Sequence, residues 1–433
     1  MKRRLAASLL SVVLAAGLLS GCGGTSSEKE EVKTEEDKKV VTVWAWDVEY
    51  NIPVMEEAAK RYEAKHPDVK IEVMEYAYDD VTQKINTNLS SNVTEGLPEI
   101  MLSEDASVQK YLQSYPGAFK DMKDIIDFED FAEYKVDALT LDGGIYGVPF
   151  DIGTEGLFYR TDYLEKAGYT EEDLTDITWD EFVEIGNKVK EATGKDLMTM
   201  DPNSMSIMRD FMQSSGTWYF DEDGKVNLKD NPVIAEGTRI YEELINSGNI
   251  KLTTGWGDMV AAINGGDVAT IVSGCWIVPT ITAAEDQSGL WRVTKMPRVD
   301  VAGGTNYGNR GGSNWLVLED SENADIAADF LKEIFAGDVD FYETILKDIG
   351  AIGAYKPASS SEAYQEPVAF FSNEPIWENF AQWAQEVPSI DFGVYTDEVD
   401  SVLITNMPSV LDGSKTIPEM LEESEQMLES QLQ

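Results

Sequence analysis

Between residues 40 and 74 the apolar period changes from two to 3.6 and back to two, and no other feature narrows the possible folds as far. Val40-Val41-Thr42-Val43-Trp44-Ala45-Trp46 is β-branched and aromatic and reads as a strand. Apolar residues at Val54, Met55, Ala58, Ala59 and Tyr62 follow Pro53 at helical spacing, with the proline near the first turn, where its missing N–H is tolerated. His66-Pro67-Asp68 breaks this helix, and Val69 to Met74 alternates as a second strand, which leaves His66 in a surface turn. Strand, helix and strand in this order form a βαβ unit. The alternation continues, with helices expected over 80–91, 106–114, 179–193, 233–247, 257–264, 322–336, 338–347, 376–386, 396–411 and 416–431. Strands are expected over 98–102, 145–149, 156–159, 268–272, 291–296 and 313–318. This is α/β architecture. At 433 residues the chain exceeds what one small core serves and suits two domains.

Charge and rare residues then exclude several functions. With 80 acidic against 34 basic side chains the formal charge is −46, which argues against nucleic acid as a partner. A single histidine excludes His-rich zinc and two-histidine iron sites, and leaves Ser-His-Asp chemistry one candidate base. Asp221-Glu222-Asp223-Gly224-Lys225-Val226 begins like a calcium loop but lacks the further ligands, so it reads as a solvated turn. No metal and no cofactor are expected.

The amino terminus carries an address. Met1-Lys2-Arg3-Arg4 is basic, and Leu5 to Leu19 is uncharged and apolar but too short to span a membrane, so residues 1–21 read as a secretory signal. The run ends in Leu19-Ser20-Gly21-Cys22, which resembles the lipobox of bacterial lipoproteins, in which the cysteine receives a diacylglyceryl group and becomes the first residue. Residues 22–39 are Gly-, Ser-, Glu- and Lys-rich and are expected to be a flexible tether. A lipid anchor at Cys22 would be the protein's one attachment to the membrane, on the extracellular face of the bacterial cell. Cys275 is then left without a disulfide partner.

Several segments now match one family in order. They include Trp44-Ala45-Trp46-Asp47, Tyr62-Glu63-Ala64-Lys65-His66-Pro67-Asp68-Val69, Leu97-Pro98-Glu99-Ile100 and Asp142-Gly143-Gly144-Ile145-Tyr146-Gly147-Val148-Pro149. Leu157-Phe158-Tyr159-Arg160-Thr161-Asp162-Tyr163-Leu164, Gly265-Gly266-Asp267-Val268-Ala269, Gly274-Cys275-Trp276 and Gly311-Gly312-Ser313-Asn314-Trp315 complete the series. The chain resembles the sugar-binding lipoproteins of ABC import systems, of the maltose-binding-like class. Leu112 to Phe119 and Phe335 to Tyr342 are similar to the branch associated with lactose, L-arabinose and related oligosaccharides. Two positions depart from the family's pattern: Glu99 stands where relatives usually carry Asp, and Thr270-Ile271 replaces a usual Met.

The resemblance implies a two-lobed, class II periplasmic-binding-protein-like fold, with a hinge and a ligand cleft between the lobes. Residues 40–151 plus 312–356 would form one lobe and 152–311 plus 357–433 the other. The chain would cross near 150–153, 310–312 and 355–357, and the lobes would close on the ligand by hinge motion. It further implies a neutral mono- or oligosaccharide ligand, a two-subunit ABC permease with a cytoplasmic ATPase as partner, and a monomeric protein.

A neutral sugar needs donors and acceptors for its hydroxyls and an aromatic plate for its C–H face. Ligands of α/β proteins sit beyond the carboxyl ends of strands. The resemblance there assigns Asp47, Glu49 and Tyr50 after the first strand and Glu104 and Asp105 after the third, although Asp105 also suits a helix cap. It adds Asp151 at the first crossing and Gly312, Ser313 and Asn314 at the second. Trp276 is expected to stack on the sugar, with Trp218 and Trp256 as further plates and Tyr355 and Tyr395 returning from late loops. Trp44 and Trp179 read as core. No catalytic residue is expected. Two other readings fit the composition: a peptide or other small-solute binder of the same fold, and a secreted glycoside hydrolase. The lipobox with hinge signatures along the whole chain favours a binder over a hydrolase, and the wealth of tryptophan with cleft carboxylates favours sugar over peptide.

Overall fold

In the computed structural model the described residues are 38–221 and 223–432. The signal segment 1–21 and the lipidation site Cys22 lie outside them. The tether ends earlier than expected, because Lys39 already belongs to the first strand, where its N–H donates to the Asp68 carbonyl.

The larger sheet has five strands in the order Val69–Glu75, Lys39–Ala45, Ile100–Glu104, Ser313–Val317 and Val148–Pro149. The first three are mutually parallel, with Val43 opposite Val73 on one side and Ile100 on the other. Ser313–Val317 runs antiparallel to them, with Ser313 opposite Glu104. Both faces are covered. Val41, Val43, Ile100 and Leu102 enter one core, while Trp44, Met101 and Leu316 enter another. That is why the strands read as nearly continuous apolar runs. Glu99 closes the register, since its carboxylate accepts from the Thr42 N–H at 2.8 Å and the Thr42 hydroxyl at 2.7 Å. The departure from the family's pattern at this position therefore lies in a strand-to-strand clasp.

The second sheet is antiparallel, with Glu155–Arg160 between Thr270–Gly274 and Trp291–Thr294. All six residues of its central strand are buried. A parallel pair, Met198–Met200 with Ile250–Leu252, adjoins this sheet where the Thr270 N–H donates to the Leu197 carbonyl at 2.8 Å, and was not foreseen, because three-residue strands carry too little periodicity to read.

Helix ends follow local chemistry. Thr178 and Glu181 form a reciprocal cap at the start of Trp179–Thr193, and Gly194 ends that helix in the left-handed region at φ 73°. The expected helix 396–411 is divided into Thr396–Asn406 and Pro408–Leu411, because Pro408 has no N–H to continue the ladder. The expected strand 145–149 is likewise broken at Gly147. Its φ of 137° suits glycine, and a Cβ there would lie 2.6 Å from Leu316.

The chain passes between the two sheets at 150–154 and at 309–312, and these two segments lie against each other. The Arg310 N–H donates to the Gly153 carbonyl at 2.9 Å and the Gly153 N–H to Asn309 Oδ1 at 3.0 Å. A Cβ on Gly153 would lie 2.2 Å from the Arg310 carbonyl oxygen, so the backbones abut where a side chain has no room. A third segment joins them, with Gly353 bridged to Asp151 and Tyr355 to Phe131. Among the described residues no helix is long and apolar enough to cross a membrane.

Candidate functional site

The strand order brings the carboxyl ends of Lys39–Ala45 and Ile100–Glu104 to the same edge as the start of Ser313–Val317. Nine of the residues singled out from sequence gather there. Asp47 is exposed and orders its own loop, with Oδ1 accepting from the Glu49 N–H at 2.8 Å and the Tyr50 N–H at 3.1 Å. Glu49 points to solvent, and Tyr50 is half-buried with its hydroxyl donating to Asp151 Oδ2 at 3.1 Å.

Behind this loop lies a buried polar network. Asp151 Oδ1 accepts from the Ser313 N–H and the Ser313 hydroxyl, both at 2.7 Å. Asp105 pairs with the fully buried Lys135, which also donates to the Ser313 carbonyl at 3.0 Å, and Asn314 Nδ2 donates to the same carboxylate at 2.8 Å. Burial pushes both carboxyls above their ordinary range, while Lys135 pulls them back. Gly312 passes directly over the pair, at a φ of 87°, where a Cβ would come within 2.8 Å of Asp105 Oδ2. Asp105, Asp151, Ser313 and Asn314 are thus brought together as expected from their strand positions, but they bond to one another. These hydrogen bonds hold the crossings in register, while Asp105 Oδ2 and Asn314 Oδ1 are buried with no hydrogen-bond partner among the described residues.

Glu104, the last residue of its strand, remains open to solvent and accepts from the Tyr78 hydroxyl at 3.4 Å. Desolvation by the surrounding protein raises its carboxyl above the usual range, and the hydrogen bond from Tyr78 and the charge of Arg209 partly offset this. Trp46 meets Tyr78 edge to face, with centroids 5.1 Å apart. Sequence reasoning missed Tyr78, which opens its helix and gave no motif.

The second sheet presents a different surface. Gly274 ends its strand and Trp276 follows in a tight turn. Trp276 Nε1 donates to the Arg310 carbonyl at 2.7 Å, so the ring's one polar atom is bound to the crossing segment. Gly274 and Gly311 make room for it, since a Cβ on either would sit 2.4 Å or 3.3 Å from Nε1. Trp256 lies 5.9 Å away, centroid to centroid, with its plane tilted by 39° and its ring half-exposed. The Gly255 N–H donates to Asp201 Oδ2 at 2.8 Å, which fixes the turn that carries Trp256. These rings wall a cavity of about 240 Å³ floored by Met198, Met200, Ile207, Met259, Ile271 and Val272. Ser204, Ser206, Thr253, Ser273 and Arg310 add polar groups to its lining.

Three further expectations meet different surroundings. Trp218 is a core residue, not a ligand plate: it is 4% exposed, its ring packs edge-on against Phe392, and Nε1 donates to Thr396 Oγ1 at 2.8 Å. Tyr355 is also buried, stacked on Tyr342 with centroids 5.5 Å apart and packed against Phe131. Both are large apolar rings whose burial gains more than a loop position would. Tyr395 is exposed at the start of Thr396–Asn406 and does not line the cavity. His66 is not a free surface residue either. Its ring stacks on Tyr62 with centroids 4.0 Å apart, and Nε2 lies 2.8 Å from Glu333 Oε2. With Asp329 and Glu333 it forms the grouping of metal-ligand chemistry found among the described residues, although Lys65 already pairs with Glu333 at 2.7 Å.

The sequence reading passed over Arg310, Asp210 and Glu155. Arg310 Nε donates to Asp210 Oδ1 at 2.9 Å, Nη2 bonds to Asp210 Oδ2, and Nε lies 3.5 Å from Glu155 Oε1. Both acids are buried. The position of Arg310 just before Gly311-Gly312 was a usable signal, but the helix Ser206–Gln213 that supplies Asp210 went unread.

Comparison with known proteins places this arrangement. The sequence matches the bacterial extracellular solute-binding protein family over residues 57–372. It is 45% identical to a lactose-binding protein of Rhizobium radiobacter over 393 residues, 91% of this chain and 93% of the relative. It is 25% identical to an arabinooligosaccharide-binding protein of Bacillus subtilis over 76% of each chain. The solved structure of the sugar-binding protein MalE from Xanthomonas citri superposes with a TM-score of 0.75 at 18% identity, covering 90% of this chain and 96% of that one.

Proposed function

The chain belongs to the family of bacterial extracellular solute-binding proteins, and from that premise we propose that it captures a neutral oligosaccharide outside the cell and delivers it to an ABC-type importer. The observation that carries this reading is the pair Trp256 and Trp276 over an apolar cavity. A sugar's C–H face gains from lying on such rings, while hydroxyls and a guanidinium at the rim meet its polar edge. Trp276 suits stacking because its N–H is already bound to the Arg310 carbonyl, which fixes the ring without using its face. Trp46, Tyr78 and Glu104 on the other side of the crevice supply the opposing contacts when the lobes close. The similarity to a lactose-binding protein puts lactose and related galactosides first among the ligands, with arabino-oligosaccharides next.

The finer parts of the reading concern placement and partners. A diacylglyceryl group on Cys22 holds the protein at the extracellular face of the membrane, two acyl chains being enough for stable anchoring. It acts as a monomer, passes its ligand to a two-subunit permease driven by a cytoplasmic ATPase, and performs no catalysis. The glycoside hydrolase reading has no specific observation in its favour, since pairs of carboxylates arise by chance in a chain with 80 acids.

The test is a titration of the purified protein with lactose, other galactosides, L-arabinose and arabinose- or xylose-based oligosaccharides. Melting temperature, tryptophan emission and product formation are followed together. A ligand at about 100 times its dissociation constant adds about 2.7 kcal/mol of stability, so one sugar class raises the melting temperature with no product formed. A response to peptides and to none of the sugars overturns the reading. Cys22→Ser should release the protein from membranes into the medium, and retention on membranes would refute the lipid anchor.

A further inference from the structure

We propose that Arg310, clamped by Asp210 beside the buried Glu155, is the residue by which the cavity selects an uncharged sugar, giving its free Nη1 to an oxygen of the ring that lies on Trp276. The inference rests on the sugar-binding reading and names the residue that sets which sugars that site accepts.

Polar recognition in the cavity has few sources. Among its lining residues Arg310 is the one cation and Asp201 the one acid. Both oxygens of Asp201 are already engaged, Oδ1 by the N–H and side-chain amide of Asn203 and Oδ2 by the Gly255 N–H. Asp201 therefore positions Trp256 and has little left for a ligand. Ser204 and Ser206 bond to each other at 2.6 Å, and the Thr253 hydroxyl turns toward the Met200 carbonyl. Arg310 differs. Two of its three nitrogens face Asp210, and Nη1 has no protein partner among the described residues. Its side chain is 26% exposed, whereas those of Asp210 and Glu155 are 1% and 0% exposed. Its own carbonyl holds Trp276, so the donor and the stacking plate are fixed by one residue.

The clamp also sets the charge that a ligand meets. Asp210 engages the guanidinium through two hydrogen bonds and neutralises it. Glu155 lies beside them with neither carboxylate oxygen hydrogen-bonded, and Gly308 packs on it so closely that a Cβ would sit 2.4 Å from Oε2. A carboxyl buried without donors is pushed well above the ordinary carboxylate range: burial is the main cause, Asp210 adds to it and Arg310 opposes it. The pairing with Asp210 offsets the guanidinium's charge, and Arg310 acts as an aimed hydrogen-bond donor rather than as an anion receptor. Neutral hydroxyls and ring oxygens satisfy it. A uronate or aldonate brings a negative charge that the cluster does not offset.

Calorimetric titration of the purified protein at pH 7 tests this, using lactose or the best galactoside and its carboxylate analogue, lactobionate. The wild type is expected to bind the neutral sugar at least 100-fold more tightly. Arg310→Gln should lose at least tenfold in neutral-sugar affinity, and Arg310→Lys, which keeps the charge for Asp210 but lacks the fork, should lose a similar amount with an unchanged near-ultraviolet spectrum. Asp210→Asn should narrow the gap between the two ligands. Equal binding of both ligands by the wild type, or neutral-sugar affinity in folded Arg310→Lys within twofold of wild type, overturns the proposal. A wild type that binds no neutral sugar at all overturns the sugar reading itself.

Discussion

The sides of the five-stranded and three-stranded sheets use different residue types for opposite ends. On the side of the five-stranded sheet, carboxylates, an amide and a hydroxyl converge, but Lys135, Ser313, Asn314, Asp105 and Asp151 bond to one another and are buried. On the other side Trp276 uses its one polar atom to fix itself to the crossing segment and keeps its ring for the cavity. A polar group that is satisfied within the protein has little left for a ligand, whereas a ring anchored through its edge keeps its face free. Position at a strand end thus brings a residue to the site without deciding whether it binds or braces.

The largest expected effect comes from breaking the bracing side. Lys135→Ala leaves Asp105 buried without its cation and should lower stability by about 3–5 kcal/mol in chemical denaturation. A loss under about 1 kcal/mol would show that the network is not a brace. Next is the stacking side, where Trp276→Ala should weaken sugar binding by about 2 kcal/mol or more, roughly thirtyfold. Trp218→Phe, placed in the core, should lower the melting temperature and leave affinity within a few fold. The opposite pattern of effects would exchange the roles of these two tryptophans.

A smaller effect concerns Glu155. Burial raises its folded-state pKa, so the folded protein keeps a proton that the unfolded chain releases above the ordinary carboxyl range, near about 4.3. Its contribution is complete below that range and is lost as pH rises toward the raised value, by at most about 1.4 kcal/mol per pH unit. Glu155→Gln should flatten that decline in a pH series of melting temperatures. Asp267 behaves in the opposite sense: its hydrogen bond from Lys251 holds its carboxyl low, so its contribution is lost on acidification. The smallest effect belongs to Asp47→Ala, which removes two bonds to backbone N–H groups in an exposed loop. A cost of about 1 kcal/mol is expected, with a modest loss of affinity from a looser Tyr50. A tenfold or greater loss of affinity without a stability change would make Asp47 a direct contact.

Much of the architecture was legible because it rests on local patterns. The opening βαβ unit, the capped helix Trp179–Thr193 and the strand Ser313–Val317 all show in periodicity and capping residues. The glycines 153, 311 and 312 fall in the segments that pass between the two sheets, near positions at which the family resemblance implied crossings. Trp256 and Trp276, expected as stacking plates, line the cavity, while Trp218 and Tyr355, expected beside the ligand, are buried in the core. An aromatic ring in a loop has the same local signature whether it faces a cavity or packs on Phe392 or Tyr342. Lys135 gave no signal, because a lone lysine in a short helix reads as solvated.

By itself the sequence determined the α/β alternation and the strand ends. Both depend on side-chain period, turn chemistry and glycine, and those act over a few residues. Tertiary structure alone decided which polar groups were already satisfied. That Asp105 meets Lys135 and Arg310 meets Asp210 depends on segments 30 and 100 residues apart being folded onto one another. Only that folding distinguishes a carboxylate that braces the hinge from one that reaches for a ligand, because a buried polar group takes whichever partner the packing provides.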